Sequence, residues 1–140
     1  MHPEISDLNR VIKVAEGKIA HPTIGLFYRG FVDNHLIVDT ATILDSVPAS
    51  YRDPIFHMFG IHVTKEKPMF LWEIARAWNV DNEVGRSLAA GVDFLWTLSL
   101  MYDDIVDDDE QRAGSMTAWR RFGKGFAMDS VRVGYDRVIG

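Results

Sequence analysis

Six carboxylates occupy the eight positions from Asp103 to Glu110 in the stretch LSLMYDDIVDDDEQRAG (residues 98–114), directly after an apolar run. Carboxylates at the C-terminal end of a helix meet the negative end of the macrodipole, so the placement is unfavourable unless a cation offsets it. On a helix that runs to Asp107, Asp103 and Asp107 project from one face, and Asp104 sits about 100° round, near enough to share a cation. Carboxylate oxygens with no histidine or cysteine beside them are hard ligands that suit Mg²⁺ or Ca²⁺. The run has neither the glycine nor the spacing of an EF-hand. Mg²⁺ held by one or two carboxylates keeps positions free for substrate phosphates. Arg112 would bring a planar, permanently charged fork to the same phosphate. The alternative is a solvated acidic loop. As a metal cluster at the mouth of an apolar helical pocket, the segment suits a ligand with an apolar tail and a diphosphate head.

The elements that must position these groups read as helices. Pro68 opens a helix over MFLWEIARAWNV, because proline is tolerated in a first turn. Asp81 or Asn82 caps the next, which runs over residues 83–107, is apolar nearly all round after Ser87 and belongs at the centre of a bundle. Upstream, residues 5–16 have helical spacing with Ser6 or Asp7 as cap, residues 23–44 are mostly helical in period, and residues 55–62 form a short helix. HLIV and TATIL are β-branched enough to pass locally for strand. After the break at Gly114, MTAWRRFG and the segment from Phe126 are helical again. The fold class is all-α, a helical bundle with the metal site at one end of a central cavity.

Composition narrows the function classes. The 140 residues suffice for one domain, and 47% apolar with 25% charged residues describes an ordinary globular chain. A net charge of -5 and the lack of a basic stripe argue against nucleic-acid binding. With no cysteine there is no disulfide framework and no thiolate chemistry, which fits a cytoplasmic protein. The N-terminus is too polar for a signal peptide, and no apolar run is long enough to span a bilayer. The five histidines show no paired spacing, and Ser99 and Ser130 have no visible triad partners. Trp72 and Trp78, at helical spacing, read as core.

DDIVD followed by four residues and RAG resembles the first aspartate-rich motif of the trans-isoprenyl diphosphate synthases (the polyprenyl synthetase family), whose pattern is DDxxD, four residues, then RRG. SLMYDD resembles the family's SLIHDD, and TAWRRFG its PTAW…FG. HVTKEKP (62–68) stands where the family has its GGKRxRP loop; EGKIAHP (16–22) lies too far upstream. The resemblance covers roughly residues 35–127. It implies residues 1–34 as an extension, and 35–140 as the N-terminal portion of an isoprenoid synthase helical domain that stops before the family's second aspartate-rich motif. Either the chain is part of a longer protein or a second chain, in a homodimer or heteromer, supplies that motif.

By the same resemblance Asp103, Asp104 and Asp107 are the catalytic Mg²⁺ ligands, and Arg112 contacts an allylic prenyl diphosphate. Lys65 and Lys67 stand for the loop's two arginines and would serve isopentenyl diphosphate. The loop lysine becomes Thr64, the family's histidine on the long helix becomes Trp96, and the second arginine of RRG becomes Ala113. Trp96 lies seven residues before Asp103, on nearly the same helical face, where it would wall the pocket. Ser99 and Leu98 hold the positions that limit product length in the family, and neither is a bulky aromatic floor. The function implied is prenyl transfer: Mg²⁺-assisted ionisation of an allylic diphosphate and condensation with isopentenyl diphosphate. The eroded isopentenyl contacts leave two alternatives open. One is terpene cyclisation or transfer to another acceptor on the same fold, and the other is a non-catalytic prenyl-diphosphate-binding subunit.

Overall fold

A computed structural model describes Gly30 and residues 35–61 and 65–140. The predicted helix at 5–16 with its caps, nearly all of the 1–34 extension, and Thr64 lie outside the described residues. Among the described residues the chain is all-α: α1 (Ile37–Ser46), α2 (Arg52–Ile61), α3 (Glu66–Ala77), α4 (Asn82–Val106), α5 (Ala118–Phe122) and α6 (Lys124–Ile139). A two-residue antiparallel hairpin, β1 (Gln111–Arg112) and β2 (Ser115–Met116), stands between α4 and α5.

Local chemistry sets the boundaries. The β-branched segment around residue 40 is helix, because Leu36, Ile37, Thr40 and Leu44 recur at helical spacing and are all buried. Pro48 ends that run, and Arg52 secures the turn by donating from Nε to the Val47 carbonyl at 2.6 Å. Pro68 falls in the first turn of α3, where its missing N–H would have had no helical partner. The Asp81 carboxylate caps α4, accepting from the backbone N–H groups of Glu83 at 2.9 Å and Val84 at 3.2 Å.

α4, with 25 residues and a length of about 37 Å, is the axis of the bundle. It packs against α1, α2, α3, α5 and α6. The main core gathers Leu44, Val47, Ile55, Met58, Phe94, Leu98, Met101 and Val131, and a smaller cluster joins Leu36 and Ile37 to Ala89 and Ala90. α6 crosses α4 closely at Gly134, where a Cβ would lie 2.8 and 2.9 Å from the two Leu98 methyl carbons.

The helix is not covered on every side. Val84 and Leu88 are about half exposed and lie on an open apolar face with Phe70 and Ile139. Between α3 and α4 an apolar groove of about 550 Å³ is walled by Lys67, Met69, Phe70, Leu71, Ile74 and Val92, with Glu66 at its end. Trp78, expected in the core, is 79% exposed: it caps the C-terminus of α3, and the chain then turns through Asn79 at a φ of 55°. Trp72 is half-buried, lying 3.2 Å from where a Gly85 Cβ would stand.

These contacts predict opposite effects for two helical glycines. Gly134→Val should destabilise by about 1–3 kcal/mol through overpacking against Leu98. Gly91→Ala, whose Cβ would meet nothing within 4 Å, should stabilise by about 0.5–1 kcal/mol. Urea unfolding of both variants checks the pair.

Candidate functional site

The site is built at the C-terminal end of α4. Met101, Asp104 and Ile105 face the interior, while Asp103 and Asp107, one turn apart, face solvent. Asp107 is the C-cap, its N–H donating to the Asp103 carbonyl at 2.8 Å, and the Asp109 N–H donates to the Asp104 carbonyl at 3.0 Å. Asp108 takes a left-handed φ of 58°, which aspartate tolerates better than most residues, and its carboxylate pairs with Lys124.

The hairpin then reverses the chain. Gln111 pairs with Met116 and Arg112 with Ser115, leaving Ala113 and Gly114 as the loop, with φ values of 50° and 77°. Positive φ at both loop positions is the twist-matched solution for a two-residue hairpin. The reversal carries Arg112 back over the helix end. Its Nε and Nη2 donate to Oδ1 of Asp104 at 2.9 and 2.7 Å. Asp104, which the sequence groups with the metal ligands, is thus engaged elsewhere: its side chain is 1% exposed and held by Arg112. Its Oδ2 is buried with no hydrogen-bond partner among the described residues. Burial pushes the Asp104 carboxyl above its ordinary range, and the Arg112 hydrogen bonds oppose this.

Two residues of TAW, quoted above only for its resemblance, fasten this loop. The Thr117 hydroxyl and the Trp119 indole N–H both donate to the Asp109 carbonyl at 2.8 Å, and the Thr117 N–H donates to the Glu110 carbonyl at 3.0 Å.

The other candidates sit further back along α4. Lys65 does not face solvent: it is 1% exposed, with Nζ 3.1 and 3.2 Å from the carboxylate oxygens of the buried Asp93 and 3.7 Å from the Phe59 ring centroid. Burial pushes the Lys65 ammonium down and the Asp93 carboxyl up, towards neutrality in each case, and each charge opposes the shift of the other. A diphosphate could reach Lys65 only by displacing Asp93. Lys67 is exposed and places Nζ 3.7 Å over the ring of the half-buried Trp96.

Val92, Trp96, Ser99 and Asp103 follow at spacings of four, three and four and form one stripe of α4. Asp103 heads that stripe, and Val92, about 16 Å further back, walls the apolar groove. The Ser99 hydroxyl donates to the Leu95 carbonyl and lies 2.9 Å from the Tyr135 hydroxyl. Leu98 is fully buried against Gly134, in the core. Tyr135 and Asp93 were not singled out in the sequence; their partners lie 36 and 28 residues away, beyond any local signal.

The Arg112–Asp104 pair predicts unequal losses. Arg112→Met leaves a buried carboxylate without its cation and should cost about 2–3 kcal/mol, short of the 3–5 kcal/mol typical of a fully buried pair because the guanidinium is partly solvated. Asp104→Asn, which removes the buried charge itself, should cost less. Denaturant unfolding of the two variants measures the order.

Octaprenyl diphosphate synthases of Escherichia coli (strain K12) and of Shigella flexneri are each 35% identical to this chain over 57 residues, 41% of the chain but 18% of the synthase. The match thus spans less than a fifth of the length of those relatives. No solved structure gives a significant match. The polyprenyl synthetase profile matches residues 49–136, more than half of the chain and including every helix from α2 to α5, the hairpin and most of α6. The chain belongs to the polyprenyl synthetase family.

Proposed function

We propose that this chain contributes to a Mg²⁺-dependent prenyltransferase that ionises an allylic prenyl diphosphate and joins it to isopentenyl diphosphate. The observation that carries the reading is the stripe on α4. It puts exposed carboxylates at one end and an apolar groove about 16 Å away, the dimensions of a ligand with a charged head and a prenyl tail. Membership of the family and the printed activity of the two relatives, octaprenyl diphosphate synthesis, support the same reaction class.

The donor set fits a Mg²⁺ shared with substrate rather than a closed cage. Among the described residues no three carboxylates or imidazoles converge on one point. Asp103 and Asp107 offer two hard, solvent-facing ligands, and Mg²⁺ characteristically takes one or two carboxylates with the remaining positions given to water and phosphate oxygens. When bound, the metal supplies electrostatic stabilisation of the charge that builds on the departing diphosphate.

The chain's own residues do the rest. Asp103 and Asp107 hold the head group's metal at the helix end. Asp104 orients Arg112 through Nε and Nη2, leaving the Nη1 edge of the guanidinium for a phosphate oxygen. Trp96 and Val92 line the path for the tail, and Lys67, spread over the Trp96 ring, is the exposed cation beside it for a second diphosphate.

Calorimetric titration with an unreactive allylic diphosphate analogue tests the reading. Binding should need Mg²⁺, vanish in EDTA, and weaken by roughly 100-fold in Asp103→Ala or Asp107→Ala, the loss of charge-assisted contacts of about 1.5–3 kcal/mol each. Turnover of an allylic diphosphate with and without isopentenyl diphosphate then identifies the acceptor. Mg²⁺-independent binding, or binding unchanged in both variants, would sink the proposal.

A further inference from the structure

His57 on α2 is used by nothing described so far, yet it joins three elements. Its Nε2 lies 2.7 Å from the Met116 carbonyl on β2, and its Nδ1 lies 3.3 Å from Nη1 of Arg121 on α5. The edge of the ring packs against Phe122, with centroids 5.7 Å apart. These contacts fix one tautomer. Nε2–H donates to the carbonyl, and the bare Nδ1 accepts from the guanidinium, so the working form is the neutral imidazole.

Met116 is the register partner of Gln111, next along the ladder from the Arg112–Ser115 pair. The hydrogen bond from His57 therefore fastens the hairpin to the body of the bundle beside the arginine that closes on Asp104. Thr117 and Trp119 tie the base of the hairpin to the Asp109 carbonyl, but those bonds lie within residues 109–119. His57, 59 residues away from Met116, ties it to α2.

We propose that His57 is a positioning residue: its neutral imidazole clasps the 111–116 hairpin to α2 and α5 and thereby holds Arg112 on Asp104. The proposal rests on the reading of that helix end as the diphosphate site. Only the bond to α5 needs the neutral ring, because Nε2–H donates to the Met116 carbonyl in either protonation state. The hairpin faces the ring with the Met116 carbonyl and α5 faces it with the Arg121 guanidinium and the Phe122 ring. Protonation replaces the Nδ1 lone pair by an N–H pointed at a cation, in a half-buried site.

Burial, opposed by the Met116 hydrogen bond and assisted by the Arg121 charge, holds the His57 pKa below the ordinary 6.5. A lowered folded-state pKa means that the Arg121 part of the clasp is complete above about 6.5 and is lost as pH falls through the folded value, while the Nε2–H bond to Met116 persists.

The test follows the Arg112 Nε–H by NMR, without metal or diphosphate, as its protection from solvent exchange relative to free arginine at the same pH. Wild type should show protection at pH about 7.5, roughly 5- to 10-fold above that of a variant without the Met116 hydrogen bond, the difference expected for one hydrogen bond. His57→Gln keeps a donor for Met116, so it should keep its protection at that pH. His57→Phe keeps the ring against Phe122 and loses both hydrogen bonds, so its protection should fall roughly 5- to 10-fold.

Full protection in His57→Phe overturns the proposal. So does a loss of equal size in His57→Gln, which keeps the donor to Met116. Should His57→Phe fail to fold, His57→Ala, which also removes the donor, decides the matter in its place. Because no diphosphate is present, a failure of the substrate reading shows up separately, as absence of analogue binding in wild type, and leaves the clasp result intact.

Discussion

Burying a carboxylate in a helical bundle is costly unless a cation comes with it, and α4 buries two. Asp93, Thr97, Met101 and Asp104 fall on one inward stripe of the helix, all at most 1% exposed. Each aspartate is paired with a cation from a connecting segment: Lys65 from the start of α3, and Arg112 from the hairpin after α4. The two pairs are eleven residues apart on the helix, about 16 Å. One helix therefore fixes both segments in space, and neither can leave without exposing an unpaired buried charge.

The consequences for the site follow from the next stripe round. Lys65 is drawn inward, so the neighbouring Lys67 is left outside and settles on the Trp96 ring. Asp104 is drawn inward, so Asp103 and Asp107 are left at the solvent-facing end of the helix. The inward carboxylates hold the scaffold, and Asp103 and Asp107 stay facing solvent. The adverse placement of so many carboxylates at a helix C-terminus is relieved in part within the fold, by Arg112 on Asp104 and Lys124 on Asp108.

Much of this was legible in the sequence. Hydrophobic period gave the central helix to within one residue at each end, Pro68 marked the first turn of α3, and Asp81 capped α4 as its type demands. The apolar run into DDIVD placed the acidic groups at a helix end. What was not legible depends on contacts across the chain. Lys65 meets Asp93 28 residues away, and His57 meets Met116 59 residues away, with nothing local to announce either. The hairpin escaped because Ala-Gly carries no strong turn signal. Ala113 accepts a left-handed φ that glycine or asparagine would hold more easily, and without that turn Arg112 reads as free for phosphate rather than folded onto Asp104. Trp78 looked like core because period alone cannot say where a helix stops.

The central claim is that the outward pair of carboxylates holds a divalent ion jointly with a diphosphate. Paramagnetic broadening by Mn²⁺ of the carboxylate carbon signals, with and without an unreactive allylic diphosphate analogue, tests it most directly. The account predicts weak, spread-out broadening with Mn²⁺ alone. With the analogue present, broadening should be strong and centred on Asp103 and Asp107, with Asp93 untouched. Broadening spread evenly over residues 103–110, and the same with and without the analogue, would mean that the segment is a solvated acidic loop and would contradict the account.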